Sequence, residues 1–302
     1  MATIMKKRLA FVLGGGGARG ALQVGALKAL LEAGYQPDLL VGTSIGAANA
    51  AYLAMYGCTA QTIAALAEVW RKASAADLLS GNYMRLTMRT LLRRMGMDDR
   101  QNIHEFFTTY GFPNDLRFGD LQNIKLIAVS SDLKSGRPVL FGEDPDELVV
   151  KGLMASTALP PWFMPVRSDG RYLVDGVFVS SLPIEPALEY GAEEIIALDI
   201  SDPRGAPGEL HGMMPFVENL INTIQQRQID LELKIAAASK VTVRRMALYG
   251  ESPVAIWNFQ RTEELMRRGY EIACHEIDQW KPESLPWWRK WLPVQVIPDK
   301  ED

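Results

Sequence analysis

The sequence has few cysteines and histidines and no excess of positive charge. Its two cysteines, Cys58 and Cys274, provide neither a disulfide framework nor the spacing of a metal site. We interpret both as small buried apolar residues. The formal net charge is −4 over 302 residues, whereas a general nucleic-acid-binding protein is expected to have a basic domain. The composition therefore argues against a bound metal and against a nucleic-acid partner.

Long apolar runs are also missing. The run that follows Lys6, Lys7 and Arg8 covers only residues 9–13, which is shorter than the roughly 7–15 apolar residues of a secretory signal. The longest apolar helix that we expect, residues 45–58, contains Asn49 and falls short of the roughly 20 residues that span a bilayer. We expect a cytoplasmic protein whose contact with the inner face of the membrane, if it has one, is peripheral.

Apolar strands and helical patterns alternate along the first two-thirds of the chain, which is typical of a mainly parallel α/β sheet. We expect strands at residues 8–13, 38–41, 124–129, 137–141, 171–174 and 194–200. We expect helices at residues 18–33, 45–56, 148–157, 183–190, 215–239 and 262–279. The pattern predicts a catalytic core at residues 1–202 with a helical insertion at about 60–121. A mostly helical extension at residues 203–302 is expected to pack on that core.

A glycine-rich turn, Gly14–Gly20, follows the first strand, and three chemistries use glycines at this place. A triphosphate-binding loop would end in Gly-Lys-Ser/Thr, but Ala21 and Leu22 follow Gly20. The dinucleotide pattern G-x-G-x-x-G is matched by Gly15, Gly17 and Gly20, yet the acidic residue expected at the end of the second strand is absent. The nucleotide interpretation therefore stays a minor alternative.

The third chemistry is an oxyanion hole, and we favour it. Glycines let backbone N–H groups converge at a helix amino terminus, where the helix dipole also favours negative charge. Gly15, Gly16 and Gly17 are the expected donors, and Arg19 adds positive charge close by.

A second turn, Gly42-Thr43-Ser44-Ile45-Gly46, has the G-x-S-x-G pattern of a nucleophile elbow between a strand and a helix. Ser44 could instead serve only as the amino-terminal cap of the helix at residues 45–56. Because the glycine loop lies one structural unit upstream, we favour a nucleophilic role for Ser44.

The base that would activate Ser44 is not an obvious histidine. None of His104, His211 and His275 lies at a strand end beside a turn signal, although His211 follows Ser44 in the order that a conventional triad requires. Asp175 follows a short apolar strand and precedes Gly176, at a position where strands of such a sheet present groups to a site. Partial burial beside Ser44 would raise the basicity of the Asp175 carboxylate. We therefore predict Asp175 as the base and keep His211 as the alternative.

These motifs resemble those of the patatin-like phospholipase family. Gly15–Gly20 matches its glycine-rich loop, Gly42–Gly46 its serine elbow, and Asp175-Gly176-Val177 its aspartate turn, with Val177 in place of a small residue. Ala155–Pro160 resembles a further block of the family. The resemblance implies a three-layer α/β/α sandwich and lipid acyl hydrolysis by a Ser44–Asp175 dyad, without metal or cofactor. Gly20, Gly42, Gly46 and Gly176 would shape the supporting turns.

Two segments are candidates for contact with a lipid surface. Met84–Met97 interleaves arginines with methionines, as in a basic amphipathic helix, and Trp280–Trp291 combines indoles with cations. The methionines could equally pack on the core, and the tryptophans could cap the domain or mediate self-association.

Two other functions also stay open: a weakly catalytic regulator that binds a lipid or nucleotide, and an acyltransferase that uses the same acyl-enzyme.

Overall fold

The computed structural model describes residues 7–75, 111–121, 124–160, 162–205 and 213–280. Within these ranges one sheet contains β1 (Leu9–Leu13), β2 (Leu39–Thr43), β3 (Lys125–Asp132), β4 (Pro138–Phe141), β5 (Val166–Ser168), β6 (Arg171–Asp175), β7 (Glu194–Asp199) and β8 (Thr242–Ala247). The helices are α1 (Gly20–Glu32), α2 (Ile45–Tyr56), α3 (Ala60–Ala75), α4 (Val149–Ser156), α5 (Ile184–Glu189), α6 (Met213–Ser239) and α7 (Thr262–Trp280).

The centre of the sheet is parallel. Strands β3, β2, β1, β7 and β8 lie side by side in that order, and Leu13 at the end of β1 is opposite Gly42 of β2 and Leu198 of β7. Because these strands end at one edge, the glycine-rich loop after β1 and the serine turn after β2 emerge together. This is the edge at which open α/β sheets bind ligands.

Strand β3 has partners on both of its edges, and this brings β2 and β6 into line. Val129 pairs with Thr43 of β2 and Leu140 of β4, whereas Ser130 pairs with Val139 of β4 and Asp175 of β6. Since β4 is a partner of both residues, it occupies one edge, and β2 followed by β6 occupies the other. The residue after Thr43 must therefore approach Asp175.

Helices cover both faces of the sheet, which confirms the three-layer α/β/α architecture. On one face the side chains of Leu9, Phe11 and Leu13 pack with apolar residues of α1, α2, α4 and α7. On the other face Ala10 and Val12 pack with residues of α5 and α6. The alternation along β1 is that of a strand buried on both sides, as its continuous apolar sequence predicts.

Two strands were not predicted, and one of them changes the view of the carboxyl-terminal region. The short β5 pairs with β6 in a hairpin. Strand β8 pairs in parallel with β7, so the central sheet continues past residue 202. The sequence of β8, Thr-Val-Arg-Arg-Met-Ala, buries only Met246 completely, so it lacks the apolar run by which buried strands are recognised.

The last helix, α7, packs against α1 at backbone contact. A Cβ atom placed on Gly25 would lie 1.9 Å from the carbonyl oxygen of Met266, and one placed on Gly269 would lie 2.0 Å from that of Leu22. Neither glycine can carry a side chain unless the two helices move apart.

We predict that Gly269→Ala destabilises the protein. Alanine favours a helix interior over glycine by about 1 kcal/mol, so helix propensity alone would raise stability. The contact with Leu22 reverses the sign, because overpacking of this kind costs roughly 1–3 kcal/mol. Denaturant unfolding measures the effect. A raised midpoint in the variant would show that the helices part without cost.

Candidate active site

Ser44 lies in a tight turn between β2 and α2. It has a φ of 55°, one of the positive values found outside glycine, and such a conformation costs about 1–3 kcal/mol. The turn also needs small neighbours, because a Cβ atom on Gly42 would lie 2.5 Å from Ala47 Cα and one on Gly46 would lie 2.2 Å from Leu13 O. The Ser44 side chain makes no capping bond to α2, which contradicts the alternative in which it serves only as a cap.

The Ser44 hydroxyl instead donates a hydrogen bond to Asp175. The distance from Oγ to Oδ2 is 2.6 Å. The other carboxylate oxygen, Oδ1, accepts a 2.9 Å bond from the N–H of Val177. The Asp175 backbone is held by Ala158 O at 3.0 Å and by the Ser131 hydroxyl at 2.7 Å. One oxygen of a rigidly placed carboxylate therefore faces the serine.

Burial makes this carboxylate unusually basic. Asp175 is completely buried, and desolvation raises its pKa to about 7, although the hydrogen bonds from Ser44 and Val177 act in the opposite direction. An exposed aspartate has a pKa of about 4. The charged form is therefore a much stronger proton acceptor than an ordinary carboxylate, at a distance suited to proton transfer from Ser44.

The backbone of Ser44 is held by α4. Its N–H donates to the Ser156 hydroxyl at 2.9 Å, and Ser156 donates to the carbonyl of Val129 at 2.6 Å. Ser156 belongs to the block Ala155–Pro160, but its chemistry was not predicted, because a serine in an apolar helix has no local signal of its partners. The bond also means that the Ser44 N–H is not available to a substrate.

The glycine loop lies directly against the serine turn. A Cβ atom on Gly15 would lie 3.2 Å from Ser44 Cβ and 2.5 Å from Val177 Cγ1, so the three motifs meet at one point. The Gly15 N–H donates to Ser181 O at 2.9 Å, and this corrects its prediction as an oxyanion donor. Among the described residues, no acceptor pairs with the N–H groups of Gly16 and Gly17.

Arg19 lies beside the glycine loop, on its carbonyl side. Its side chain is buried, and Nε donates to the carbonyl of Gly16 at 3.3 Å. Burial lowers the pKa of Arg19, while the nearby carboxylates of Glu218, Asp202 and Asp199 act to raise it. The guanidinium is thus balanced by acids and binds the loop from its carbonyl side.

A second buried network supports the loop from α1 and α2. Gln23 Nε2 donates to Gly14 O at 2.8 Å, and its Oε1 accepts from Asn49 Nδ2 at 2.9 Å. Trp70 of α3 donates its indole N–H to Asn49 at 3.0 Å. Sequence reasoning missed this network, although Gln23 and Asn49 each stand among apolar neighbours in the sequence, which was a usable signal.

The supporting glycines make close contacts too. A Cβ atom on Gly20 would lie 2.7 Å from Ile45 Cγ1, and one on Gly176 would lie 2.3 Å from Val129 O. The first contact joins α1 to α2, and the second joins the aspartate turn to β3.

The structure does not bring a histidine to Ser44 among the residues that it describes. His275 is exposed on α7, where it pairs with Gln279 at 2.8 Å. His104 and His211 lie outside the described residues. In the described ranges, no group of His, Cys, Asp and Glu is arranged to hold a metal ion.

Of the candidate lipid-contact segments, Met84–Met97 lies outside the described residues, and so does the second segment beyond Trp280. Trp280 itself is half-buried and packs edge-on against Tyr35 at 5.8 Å, with the Arg244 guanidinium 5.3 Å from its ring. Each helix in the described ranges is too short or too polar to span a bilayer.

The chain is similar in sequence to known proteins. It is 26% identical over 306 residues to lysophospholipase nte1 of Aspergillus terreus, an alignment that covers 93% of this chain and 19% of that one. It is 33% identical over 199 residues to mouse patatin-like phospholipase domain-containing protein 7, covering 64% of this chain and 13% of that one. It therefore spans less than a fifth of the length of these relatives.

Among solved structures, human GIVD cytosolic phospholipase A2 aligns with a TM-score of 0.49 at 14% identity, over 90% of this chain and 58% of that one. The family model described as patatin-like phospholipase matches residues 11–188. This range is more than half of the chain and contains the glycine loop, the serine turn and Asp175. The chain therefore belongs to the patatin-like phospholipase family.

Proposed function

We propose that the protein is a serine hydrolase that cleaves carboxylic esters of lipids. The observation that carries the proposal is the 2.6 Å hydrogen bond between the Ser44 hydroxyl and Asp175, whose buried carboxyl has a pKa raised to about 7. A nucleophile and a base within hydrogen-bond reach are the minimum for covalent acyl transfer.

The reaction follows from this geometry. Asp175 accepts the Ser44 proton as Oγ attacks the ester carbonyl, and the N–H groups of Gly16 and Gly17 receive the oxyanion of the tetrahedral intermediate. The intermediate collapses to an acyl-serine, and protonated Asp175 returns its proton to the departing alcohol. Water then attacks the acyl-serine while Asp175 accepts its proton. Collapse of that second intermediate releases a fatty acid, and Ser44 regains its proton.

An apolar pocket on the α2 side of the serine turn supports an acyl substrate. It is lined by residues of α2 and α3 and by two phenylalanines, among them Ile45, Tyr52, Trp70, Phe112 and Phe259. Ile45 directly follows Ser44 in the chain, so the pocket wall includes the residue next to the proposed nucleophile. The family name and the relatives' names, lysophospholipase and phospholipase, favour lipid esters over other acyl compounds.

We predict that Ser44→Ala abolishes both reaction with a fluorophosphonate and release of p-nitrophenol from medium-chain esters. The hydroxyl is the attacking group, so nothing replaces it. Mass spectrometry of the labelled wild-type protein checks the adduct. His211→Ala is the control and should keep full turnover. Loss of turnover in that control, with activity intact in Asp175→Asn, would favour a conventional triad.

Asp175→Asn should lower kcat by about 10²–10⁴-fold, the usual contribution of a general base. The variant should nevertheless fold. Because the folded state binds the Asp175 proton more tightly than the unfolded state, this group costs stability as pH rises from about 4 to about 7. As the pH rises over this range, the stability of the variant relative to the wild type should therefore increase. The difference in unfolding free energy, variant minus wild type, should be larger at pH 8 than at pH 5. A smaller difference at pH 8 would contradict the assigned pKa.

The pH profile of kcat/KM provides a further test. Only ionised Asp175 accepts the serine proton, so kcat/KM should rise tenfold per pH unit below about 7 and level off above it. Initial rates with a neutral ester between pH 5 and 9 measure this. A profile that levels off near pH 4 would mean that Asp175 titrates as an ordinary carboxyl.

A further inference from the structure

Helix α6 turns polar side chains toward the protein interior. Glu218, Asn222, Gln225 and Glu232 are all buried, and their spacing of four, three and seven residues places them on one face of the helix. A helix that packs on a sheet usually buries apolar residues there. This polar face of α6 lies behind the loops of the site.

Several polar side chains of α6 accept hydrogen bonds from neighbouring segments. Glu232 accepts bonds from the Ser180 hydroxyl and from the N–H of Glu185, and Gln228 accepts from the N–H of Ser181 at 2.9 Å. Glu218 accepts from the N–H of Ile256 at 2.9 Å. The carbonyl of Ile256 in turn accepts from Ala18, in the glycine-rich turn, at 2.7 Å.

Gln225 reaches the glycine loop itself. Its Nε2 donates to the carbonyl of Gly15 at 3.1 Å and to the Ser181 hydroxyl at 2.9 Å. The side chain is 1% exposed, and its Oε1 has no hydrogen-bond partner among the described residues. A buried acceptor without a donor costs about 1–3 kcal/mol. A glutamine at this position is therefore a poor choice for stability alone.

The bond from Gln225 to the Gly15 carbonyl also fixes the direction of the Gly16 N–H. The carbonyl of Gly15 and the N–H of Gly16 belong to one planar trans peptide, so they point in opposite directions. A donor that holds the carbonyl from α6 directs the Gly16 N–H away from α6. Arg19 Nε acts in the same way on the next peptide, where the carbonyl belongs to Gly16 and the N–H to Gly17.

Such fixation is needed because glycine has little backbone preference. Without Cβ atoms, the peptides between Gly15, Gly16 and Gly17 can rotate at low cost. An oxyanion hole is effective only when its donors are oriented before the charge develops.

We propose that Gln225 is a positioning residue that orients the Gly16 N–H toward the oxyanion formed on Ser44. The proposal rests on the hydrolase function proposed above and deepens it. Gln225 lies outside the matched residues 11–188, so the part of the chain beyond the family model completes the oxyanion hole.

The test compares Gln225→Met with Gln226→Met in the full chain. Methionine keeps the length of the side chain and removes both donor hydrogens. Gln226 is the matched control, since it is the next residue on α6 and its Nε2 donates to the Ser201 hydroxyl at 3.1 Å, not to the glycine loop.

We expect Gln225→Met to lower kcat for a p-nitrophenyl ester by about 10–100-fold, somewhat less than removal of a whole oxyanion donor. KM should stay within about twofold, because the interaction is made only in the transition state. Affinity for an alkylboronic acid, which forms a tetrahedral anion on the serine, should fall in parallel with kcat. Gln226→Met should match the wild type in all three measurements.

Other outcomes would overturn the proposal. Unchanged kcat and boronate affinity in Gln225→Met would do so and would leave the hydrolase function standing. A loss expressed in KM alone would assign the residue to substrate binding instead. Wild-type protein without Ser44-dependent hydrolysis would remove the proposed function and this proposal with it. If Gln225→Met does not fold, Gln225→Leu carries the same test, since leucine also lacks the donor.

Discussion

The candidate site centres on a carboxyl group kept out of water beside a hydroxyl. Burial of Asp175 raises its pKa to about 7, and an aspartate at the surface could not accept a serine proton with the same effect. The raised pKa matters only if Ser44 lies within hydrogen-bond distance, and strand pairing ensures this. Strands β2 and β6 follow one another along one edge of β3, so the central sheet places both Ser44 and Asp175.

Burying polar groups costs desolvation free energy, and hydrogen bonds from several helices offset this cost. Ser156 of α4 holds the Ser44 backbone, and Gln23 of α1 holds the carbonyl of Gly14. On α6, burial raises the pKa of Glu232 to about 7 while it accepts bonds from Ser180 and Glu185. Helices α1, α4 and α6 thus provide polar contacts in addition to their apolar packing.

The sequence predicted those features whose signal is local. The bounds of α2 agree with the expected helix at residues 45–56, because an apolar run, a glycine turn and a second glycine define it. The bond between Gly15 and Ser181, by contrast, joins residues far apart in the chain. No local pattern shows which glycine N–H is already occupied, so the prediction of Gly15 as an oxyanion donor was wrong. Strand β8 was missed because its pairing, not its composition, makes it a strand.

The same long-range contacts bear on how the chain is divided. A boundary at residue 202 would leave β7 without its neighbour β8 and α1 without the helix that meets its backbone at Gly25 and Gly269. It would also remove Gln225 and Glu218, which reach the glycine loop directly and through Ile256. A segment that supplies a sheet strand, a layer of helix and supports for the glycine loop belongs to the same structural unit as the candidate site. The matched residues 11–188 therefore contain Ser44, Asp175 and the glycine loop, while described residues beyond them hydrogen-bond to that loop.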